Sequence, residues 1–553
     1  MTTFSSIREE TDMETNLTGF ALLEDPKHNR GTAFSREKRQ EKHLIGLLPP
    51  TVETLENQVK RCLFQLSKKN NDLEQYIYLA QLADDNQTLF YAVLATDPER
   101  FLKIVYDPTV GTACLEFGHI YRKPKGMYVS IEQKGKLREV LKNWPVEDVR
   151  VICVSTGGRI LGLGDLGTNG MGIPIGKLQL YTACAAVQPD VLLPVLLDCG
   201  TDNEKLLYDP LYLGLKQKRP STDELDAFVQ EFVDAVQDRF PKCCIHFEDW
   251  KGTDAIRLLA RYVNQISCYN DDIQGTGSVT VAGLYNAMKI SNSSLKDQRV
   301  LFLGAGSAGI GIANMITSAM KLEGLSEKDA RARISLFDVN GLLEPSRKDL
   351  SPDQQPYAHT AKSAKDLVAA INELKPTILI GVSTVGGTFT KQVIEAMSKL
   401  NDRPVIFALS NPTEHAECTA EEAYKFSKGN AIFAAGVQFD RVTIDGKSYE
   451  PSQANNFYIF PAVGMAIVAT EAKHVPDEIF ITAARATADQ VTDEQLAKGM
   501  LFPPQADVQK ASHVTAVMSA ERIFELNLAR VEKPKSIDKL ITSLEYKPIY
   551  ETS

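Results

Sequence analysis

Two pairs of adjacent acidic residues have side chains and a spacing that could bind a metal ion. Glu248 and Asp249 follow the apolar run "CCIHF", and Asp271 and Asp272 follow "ISCYN". If both runs are strands of an open α/β sheet, both pairs lie at its carboxyl edge, where ligands bind. Carboxylates that leave positions for water or substrate suit Mg²⁺ or Mn²⁺, and the lack of clustered His or Cys argues against zinc. The alternative is that these acids cap the following helices.

A lysine and a tyrosine are candidates for proton transfer. Lys177 lies in the first turns of an apolar helix after the glycine-rich stretch "GRILGLGDLGTNGMGIPIG". Burial there favours the neutral amine that a general base requires. The alternative is a lysine whose amine reaches solvent. Tyr106 in "VYDPTVG" precedes a turn, and its hydroxyl is a feasible proton donor, although an isolated tyrosine more often only packs.

The segment "QRVLFLGAGSAGIGIANM" predicts a strand, a tight glycine turn and an amphipathic helix. Gly304 permits the turn, Gly306 lets the backbone approach a pyrophosphate, and Gly309 allows close packing of helix and strand. The helix N-terminus supplies amide donors and a positive dipole. The sequence therefore predicts dinucleotide binding rather than a purely structural turn. The candidate cofactor-binding residues of this turn are Gly304, Gly306, Ser307, Ala308 and Gly309.

Asp338 ends the next predicted strand, "RISLFD", and is a candidate for contact with the cofactor ribose. An acid at this position favours a free 2′-hydroxyl and therefore NAD. Arg347 and Lys348 in "EPSRKDL" could instead serve a 2′-phosphate, or form only a solvated turn. The choice between NAD and NADP stays open.

These candidates need a scaffold, and the apolar pattern predicts one. Up to about Lys125 apolar residues recur three and four apart, which is typical of helices. From Val149 onward short β-branched runs alternate with amphipathic helices such as "STDELDAFVQEFVDAVQDRF", with Ser221 or Thr222 as its N-cap. This alternation predicts an α/β fold with parallel sheets covered by helices on both faces.

Composition limits the class of protein further. The 553 residues, 43% of them hydrophobic and 24% charged, are enough for two to four structural units. A net charge of −10 and the absence of a long basic run argue against a nucleic acid partner. The nine cysteines form no CxxC pair and are expected to be reduced core residues. The acid-bearing N-terminal stretch and the absence of eighteen unbroken apolar residues predict a cytosolic protein without a membrane span, although an organellar form with a cleaved leader stays open.

Taken in order, the motifs resemble those of one family, the malic enzymes, which are metal-dependent decarboxylating malate dehydrogenases. The resemblance covers the chain from about Arg30 to beyond Pro461. The motifs that carry it are "RGTAF", "GLLPP", "YDPTVG", "RILGLGD", "GMGIPIGK", "GTDNEKLL", "FEDW", "NDDIQGT", "GAGSAG", "ALSNPT" and "QANNFYIFP".

The resemblance implies a role for each candidate. Glu248, Asp249 and Asp272 match the family's metal ligands. Lys177 matches its general base, Tyr106 its general acid, and Asp271 the acid beside the base. The residues that match contacts to malate or nicotinamide are Arg159, which clamps a carboxylate, Asn411, and one or both of Asn455 and Asn456.

The resemblance also implies an architecture and an activity. The expected domains are a mostly helical domain over 1–126, a central α/β domain over 127–273 plus 456–530, a Rossmann-type domain over 274–455, and a tail over 531–553. A homodimer or homotetramer is expected. The implied reaction converts L-malate and NAD(P)⁺ to pyruvate, CO₂ and NAD(P)H with Mg²⁺ or Mn²⁺. Two alternatives stay open: a malolactic enzyme that forms lactate with bound NAD, and a non-catalytic dinucleotide-binding relative.

Overall fold

A computed structural model describes residues 15–360, 364 and 366–550 of the chain. The N-terminal stretch from which a cytosolic location was inferred lies almost entirely outside these residues. The chain divides into two compact units, Met1–Ala113 with Lys547–Ser553, and Cys114–Tyr546. This division does not test the four predicted domains, which stay a prediction.

The first unit is helical, as the spacing of its apolar residues predicts. Five of its described helices begin at side-chain caps, because the side chains of Ser35, Thr54, Asn71, Asn86 and Asp97 each accept a hydrogen bond from a first-turn amide. The helices from the N-terminal side up to the unit boundary are Gly19–Leu23, Arg36–Glu41, Leu55–Leu66, Asp72–Asp85, Gln87–Leu94, Pro98–Val105 and Thr109–Leu115.

The second unit contains two parallel sheets, which confirms the predicted α/β class. One sheet has five strands in the order β1-β3-β2-β4-β5, and the other has seven in the order β14-β11-β10-β9-β6-β7-β8. The strands are β1 Met127–Ser130, β2 Val151–Ser155, β3 Leu192–Asp198, β4 Cys244–Phe247, β5 Cys268–Asn270, β6 Val300–Leu303, β7 Ile334–Asp338, β8 Gly341–Leu342, β9 Ile378–Gly381, β10 Val405–Ala408, β11 Ile432–Ala435, β12 Val442–Ile444, β13 Lys447–Tyr449 and β14 Ser452–Gln453.

The five-stranded sheet begins earlier than the apolar pattern predicts. β1 pairs in parallel with β3 as an edge strand, and its alternating burial over four residues is too short a signal to predict a strand. The chain passes from β2 to β3 on one side and then crosses to β4 on the other. The carboxyl ends of β2 and β4 therefore flank a topological switch point, where ligands bind in open α/β sheets.

The seven-stranded sheet has the same kind of switch point between β6 and β9. β6 pairs with β7 on one side and with β9 on the other, both in parallel, while β8 pairs with β7 antiparallel. The glycine turn follows β6, so its position fits a dinucleotide crevice. β12 and β13 form a separate antiparallel ribbon.

Helices cover the sheets of this unit. The helix Thr222–Arg239 begins at Ser221, whose side chain accepts from the Glu224 amide, and it buries the predicted apolar face, including Phe228 and Phe232. Burial of each such side chain contributes about 1.5–3 kcal/mol. The α-helices are Phe117–Ile120, Leu137–Leu141, Gly172–Ala185, Glu204–Tyr208, Thr222–Arg239, Gly252–Tyr262, Thr276–Ser291, Ser307–Leu322, Glu327–Arg331, Leu367–Leu374, Lys391–Leu400, Ala420–Phe426, Phe460–Thr470, Asp477–Ala488, Asp493–Ala497, Val508–Glu525 and Ile537–Leu544.

Within the described ranges, no helix combines the length and apolar character needed to cross a bilayer. All nine cysteines are free and buried, as expected for reduced core residues.

Candidate active site

Lys177 lies at the centre of a buried ionic cluster. It belongs to the helix Gly172–Ala185, and only 3% of its side chain is exposed. Its Nζ lies 2.5 Å from Asp271 Oδ2, 3.1 Å from Glu248 Oε1, and 4.4 Å from the centre of the Phe460 ring. The amine therefore does not reach solvent, and its position between two carboxylates suits a group that exchanges protons.

Asp271 is held by a second side chain, Asn456, in addition to Lys177. It begins the π-helical turn Asp271–Gly275 after β5, and its Oδ2 also accepts a 2.9 Å hydrogen bond from Asn456 Nδ2. Gly275 lies so close that a Cβ there would stand 1.8 Å from Asp271 Oδ1. The turn can place this carboxylate only because residue 275 has no side chain.

The other acids gather beside this cluster. One carboxylate oxygen from each of Glu248, Asp249 and Asp272 lies within 4.8 Å of the others, and the Asp249 amide donates to Asp272 Oδ2 at 2.9 Å. The capping alternative does not apply. Lys251 precedes the helix Gly252–Tyr262 without a side-chain cap, and Asn270, not an acid, caps the turn that follows β5.

The electrostatics of these acids favour a bound cation. Burial raises the pKa of Glu248 to about 8, with Lys177 opposing the rise and Asp271 adding to it. Burial, followed by the charge of the neighbouring carboxylates, raises the pKa of Asp249 and Asp272 well above the ordinary value. Among the described residues, buried Asp249 Oδ2 has no hydrogen-bond partner. An all-oxygen set with an unsatisfied buried atom fits Mg²⁺ or Mn²⁺, as predicted.

The loop after β2 joins the acids to the dinucleotide turn. Asp249 has a positive φ of 53°, and its Oδ1 accepts from the Leu161 amide at 3.3 Å. A non-glycine residue held in the left-handed region costs roughly 1–3 kcal/mol, and such residues concentrate at functional sites. Exposed Arg159 donates its amide to Asp249 O at 3.3 Å, and its Nη1 lies 3.4 Å from Ser307 Oγ. Arg159 therefore reaches both halves of the site.

The glycine turn has the geometry expected of a pyrophosphate cradle. Gly304 has φ 117°, and a Cβ at Gly309 would stand 2.5 Å from Gly304 O. Gly306 has nothing within 4 Å of its Cβ position. It is the N-cap of the helix Ser307–Leu322 and offers no side-chain hydrogen bond, and Ala308 lies in the first turn of that helix. The first amides of this helix therefore remain available to an anion.

Asp338, at the end of β7, does not stand alone. Arg347 donates to both of its oxygens, at 2.9 and 2.7 Å, and also to Asp349 Oδ2 at 2.6 Å. These contacts raise the pKa of Arg347, with the hydrogen bonds to Asp349 and Asp338 as the main causes. The arginine is therefore held by two aspartates, whereas Lys348 is exposed.

The remaining candidates occupy distinct positions. Asn411 is half-buried in the loop after β10, and Asn455 caps the short helix Asn456–Tyr458 through a 3.2 Å bond from the Phe457 amide. Only Asn456 of that pair contacts the ionic cluster. Tyr106 belongs to the first unit, where it is buried at the end of the helix Pro98–Val105. The functional roles of these residues stay predictions.

Sequence patterns missed a carboxylate that joins two loops of the dinucleotide crevice. Glu417 is fully buried, and its Oε1 accepts from Ser383 N and Ser383 Oγ at 2.9 Å and from Ser410 Oγ at 2.6 Å. Ser383 follows β9 and Ser410 immediately precedes Asn411. No local pattern could identify Glu417, because Ser383 lies 34 residues away in the sequence.

We expect Glu417→Gln to weaken dinucleotide binding about tenfold. An amide nitrogen cannot accept the serine hydrogens, and each hydrogen bond to a charged group contributes about 1.5–3 kcal/mol. The measurement is the dissociation constant of NAD⁺ and NADP⁺ by fluorescence titration. Exposed Glu414→Gln is the matched control. Unchanged affinity in Glu417→Gln, with a lowered melting temperature alone, would reduce Glu417 to a structural role.

The chain matches the models of one protein family over more than half of its length. Residues 83–263 match the family model "Malic enzyme, N-terminal domain", and residues 273–523 match "Malic enzyme, NAD binding domain". The NADP-dependent malic enzyme of Mus musculus is 45% identical over 97% of this chain and 94% of its own length. The NADP-dependent malic enzyme 3 of Arabidopsis thaliana is 47% identical over 96% and 91%.

Solved structures share the fold at lower identity. A malic enzyme from Entamoeba histolytica has a TM-score of 0.58 at 21% identity, with 92% of this chain and 91% of that chain covered. A malic enzyme from Pyrococcus horikoshii has a TM-score of 0.55 at 22% identity, with 80% and 88% covered.

Proposed function

Because this chain belongs to the malic enzyme family, we propose that it catalyses the oxidative decarboxylation of L-malate to pyruvate and CO₂ with reduction of NAD(P)⁺. The observation that carries the proposal is the buried contact of Lys177 with Asp271 and Glu248 beside two further carboxylates. Substrate dehydrogenation needs a base, and decarboxylation needs a cation that draws electrons from the C2 oxygen. Both requirements meet in this cluster.

Lys177 acts as the general base. Its Nζ takes the proton from the C2 hydroxyl of malate, and Asp271, at 2.5 Å, stabilises the positive charge that the amine gains. Asn456 holds Asp271 in place through its 2.9 Å hydrogen bond. The turn Gly304 to Gly309 would hold NAD(P)⁺, which when bound would accept the C2 hydride.

The substrate-binding residues orient malate for this proton transfer. Glu248, Asp249 and Asp272 would hold the divalent cation, which when bound polarises the C2 oxygen and offsets negative charge during loss of CO₂. Arg159 clamps a malate carboxylate through its guanidinium. Asn411 and Asn455 are the proposed amide contacts to substrate or nicotinamide.

Tyr106→Phe is expected to slow the protonation of C3, for which Tyr106 is the proposed acid. Loss of one general acid typically costs about 10²- to 10⁴-fold. Release of pyruvate from added oxaloacetate measures this step directly, and it should slow together with pyruvate formation from malate. Buried Tyr91→Phe, in the same helical unit, is the control. Normal pyruvate release from Tyr106→Phe would assign the protonation to another acid.

An absorbance assay of the reduced nicotinamide tests the proposed function. Malate, Mn²⁺ or Mg²⁺, and NAD⁺ or NADP⁺ should give net reduction and pyruvate. Lactate without net reduction would identify a malolactic enzyme, and no reaction would identify a non-catalytic relative. The relatives named above are malic enzymes, and nothing in the site favours either alternative.

The same assay decides the cofactor. Asp338 would accept the ribose hydroxyls of NAD⁺, whereas Arg347, which donates to Asp338 at 2.7 Å, would offer a cation to the 2′-phosphate of NADP⁺. The named relatives are NADP-dependent. Comparison of kcat/KM for the two cofactors, before and after Arg347→Gln, measures how much the arginine contributes to each.

We also propose a cellular location and an oligomeric state for the protein. Nine free, buried cysteines support a reducing compartment, which we take to be the cytosol. A homodimer or homotetramer is proposed from the family resemblance, and sedimentation analysis of the purified protein would measure it.

A further inference from the structure

A buried polar chain extends behind the proposed metal site, and the mechanism above does not use it. His246 lies on β4, two residues before Glu248, and is fully buried. Its Nε2 lies 2.7 Å from Glu248 Oε2, and its Nδ1 lies 2.9 Å from the Tyr181 hydroxyl. Tyr181 also contacts the Tyr269 hydroxyl. All four polar side chains therefore form one connected path.

The chemistry of the end groups sets the direction of these hydrogen bonds. A carboxylate that ligates a cation is ionised and can only accept, so His246 Nε2 must carry the hydrogen. In the neutral ring Nδ1 is then an acceptor, and the Tyr181 hydroxyl donates to it. The Tyr181 oxygen is left to accept from Tyr269. The Tyr269 hydroxyl also lies 3.2 Å from His246 Nδ1, so both tyrosine hydroxyls face the accepting nitrogen, and donation runs from the tyrosines to His246 and on to Glu248.

Packing around His246 and Tyr181 restricts any change in these hydrogen bonds. The His246 ring stacks on Tyr269 with ring centres 4.6 Å apart, and it packs against Phe460 at 5.6 Å. Gly464 lies against Tyr181, where a Cβ would stand 2.1 Å from the tyrosine ring. Ring position and hydroxyl position are therefore both fixed by packing.

This path controls the orientation of Glu248. One of its oxygens faces Lys177 Nζ at 3.1 Å, and the other faces His246 Nε2 at 2.7 Å. Without the imidazole hydrogen, a buried oxygen would lack a donor and the carboxylate could turn toward the lysine. Residues that hydrogen-bond to a metal ligand commonly orient that ligand.

We propose that His246, held by the Tyr181 and Tyr269 hydroxyls in the tautomer with hydrogen on Nε2, is a positioning residue that orients Glu248 toward the divalent cation. This inference rests on the proposed function, in which Glu248 is a metal ligand. His246 touches neither malate nor cofactor in this scheme and acts only through Glu248.

Three variants separate hydrogen donation from packing. His246→Gln keeps an N–H near the Nε2 position, and His246→Leu keeps apolar volume without a donor. Tyr181→Phe removes the nearer of the two hydroxyls that face Nδ1, at 2.9 Å against 3.2 Å for Tyr269. The readout is Mn²⁺ affinity of the full-length protein without substrates, from the electron paramagnetic resonance signal of free Mn²⁺. Glu248→Gln is the control for the metal site itself.

We expect His246→Leu to weaken Mn²⁺ binding about 10- to 100-fold, as is typical for partners of metal ligands. His246→Gln should bind nearly as the parent protein does, and Tyr181→Phe should lie between the two. Equal weakening in the glutamine and leucine variants would overturn the donor role. Parent-like binding in His246→Leu, when Glu248→Gln is weakened, would overturn the inference alone, whereas parent-like binding in Glu248→Gln would overturn the proposed metal site.

A measurement on the unaltered protein does not depend on the folding of any variant. Selective ¹⁵N labelling of histidine reports which ring nitrogen carries hydrogen. With Mg²⁺ bound, hydrogen on Nε2 of His246 is expected, and hydrogen on Nδ1 would contradict the proposal. The His246→Gln spectrum assigns the signal.

Discussion

Lys177→Ala is expected to lower kcat for malate oxidation about 10²- to 10⁴-fold, the usual contribution of a general base. Alanine removes the only amine that contacts both Asp271 and Glu248 in the described part of the chain. The C2 hydroxyl proton would then have to pass to a carboxylate or to water. Dinucleotide affinity should change little, because the proposed phosphate contacts come from the glycine turn and not from Lys177.

Steady-state kinetics and cofactor titration check this expectation together. Lys216→Ala is the matched control, since Lys216 is exposed and lies outside the cluster. Near-normal turnover of Lys177→Ala would remove the lysine from the mechanism. A loss of dinucleotide affinity equal to the loss of turnover would show that the variant had disturbed the fold of the site rather than its base.

Removal of the divalent cation is expected to have the second large effect on catalysis. Chelation with EDTA should stop catalysis, and Mn²⁺ or Mg²⁺ should restore it. Asp272→Asn should raise the metal concentration for half-maximal activity at least about tenfold, because an amide oxygen would replace one of the three proposed anionic ligands. Activity measured against metal concentration gives this value. Full activity in chelator would exclude the metal site.

Asp271→Asn is the matched control for that experiment, since the two aspartates are adjacent. Asp271 contacts Lys177 at 2.5 Å, whereas Asp272 accepts from the Asp249 amide at 2.9 Å. The Asp271 variant should therefore lose turnover, with less change in metal requirement. The same large shift of metal requirement in both variants would show that the two roles are assigned wrongly.

Much of the framework could be predicted from local sequence. The β-branched runs that became β2, β3, β4, β6, β7, β9 and β10 carry a signal within a few residues, as does the cap at Ser221. The short edge strand β1 carries none, because it depends on pairing with β3. Periodicity and capping are properties of neighbouring residues, so a single sequence expresses them.

By itself, the sequence determined which residue types the site contains: two acid pairs, a lysine after a glycine-rich loop, and a dinucleotide turn. Only the tertiary structure decided which of these residues contact one another. It turned Asp271 toward Lys177 and Asp272 toward Asp249, brought Asn456 rather than Asn455 to the ionic cluster, and buried His246 and Glu417 among partners distant in the chain. The physical reason is that the direction of a side chain depends on the backbone turn beneath it, and its partners depend on contacts that form only when separate strands come together at one edge of a sheet.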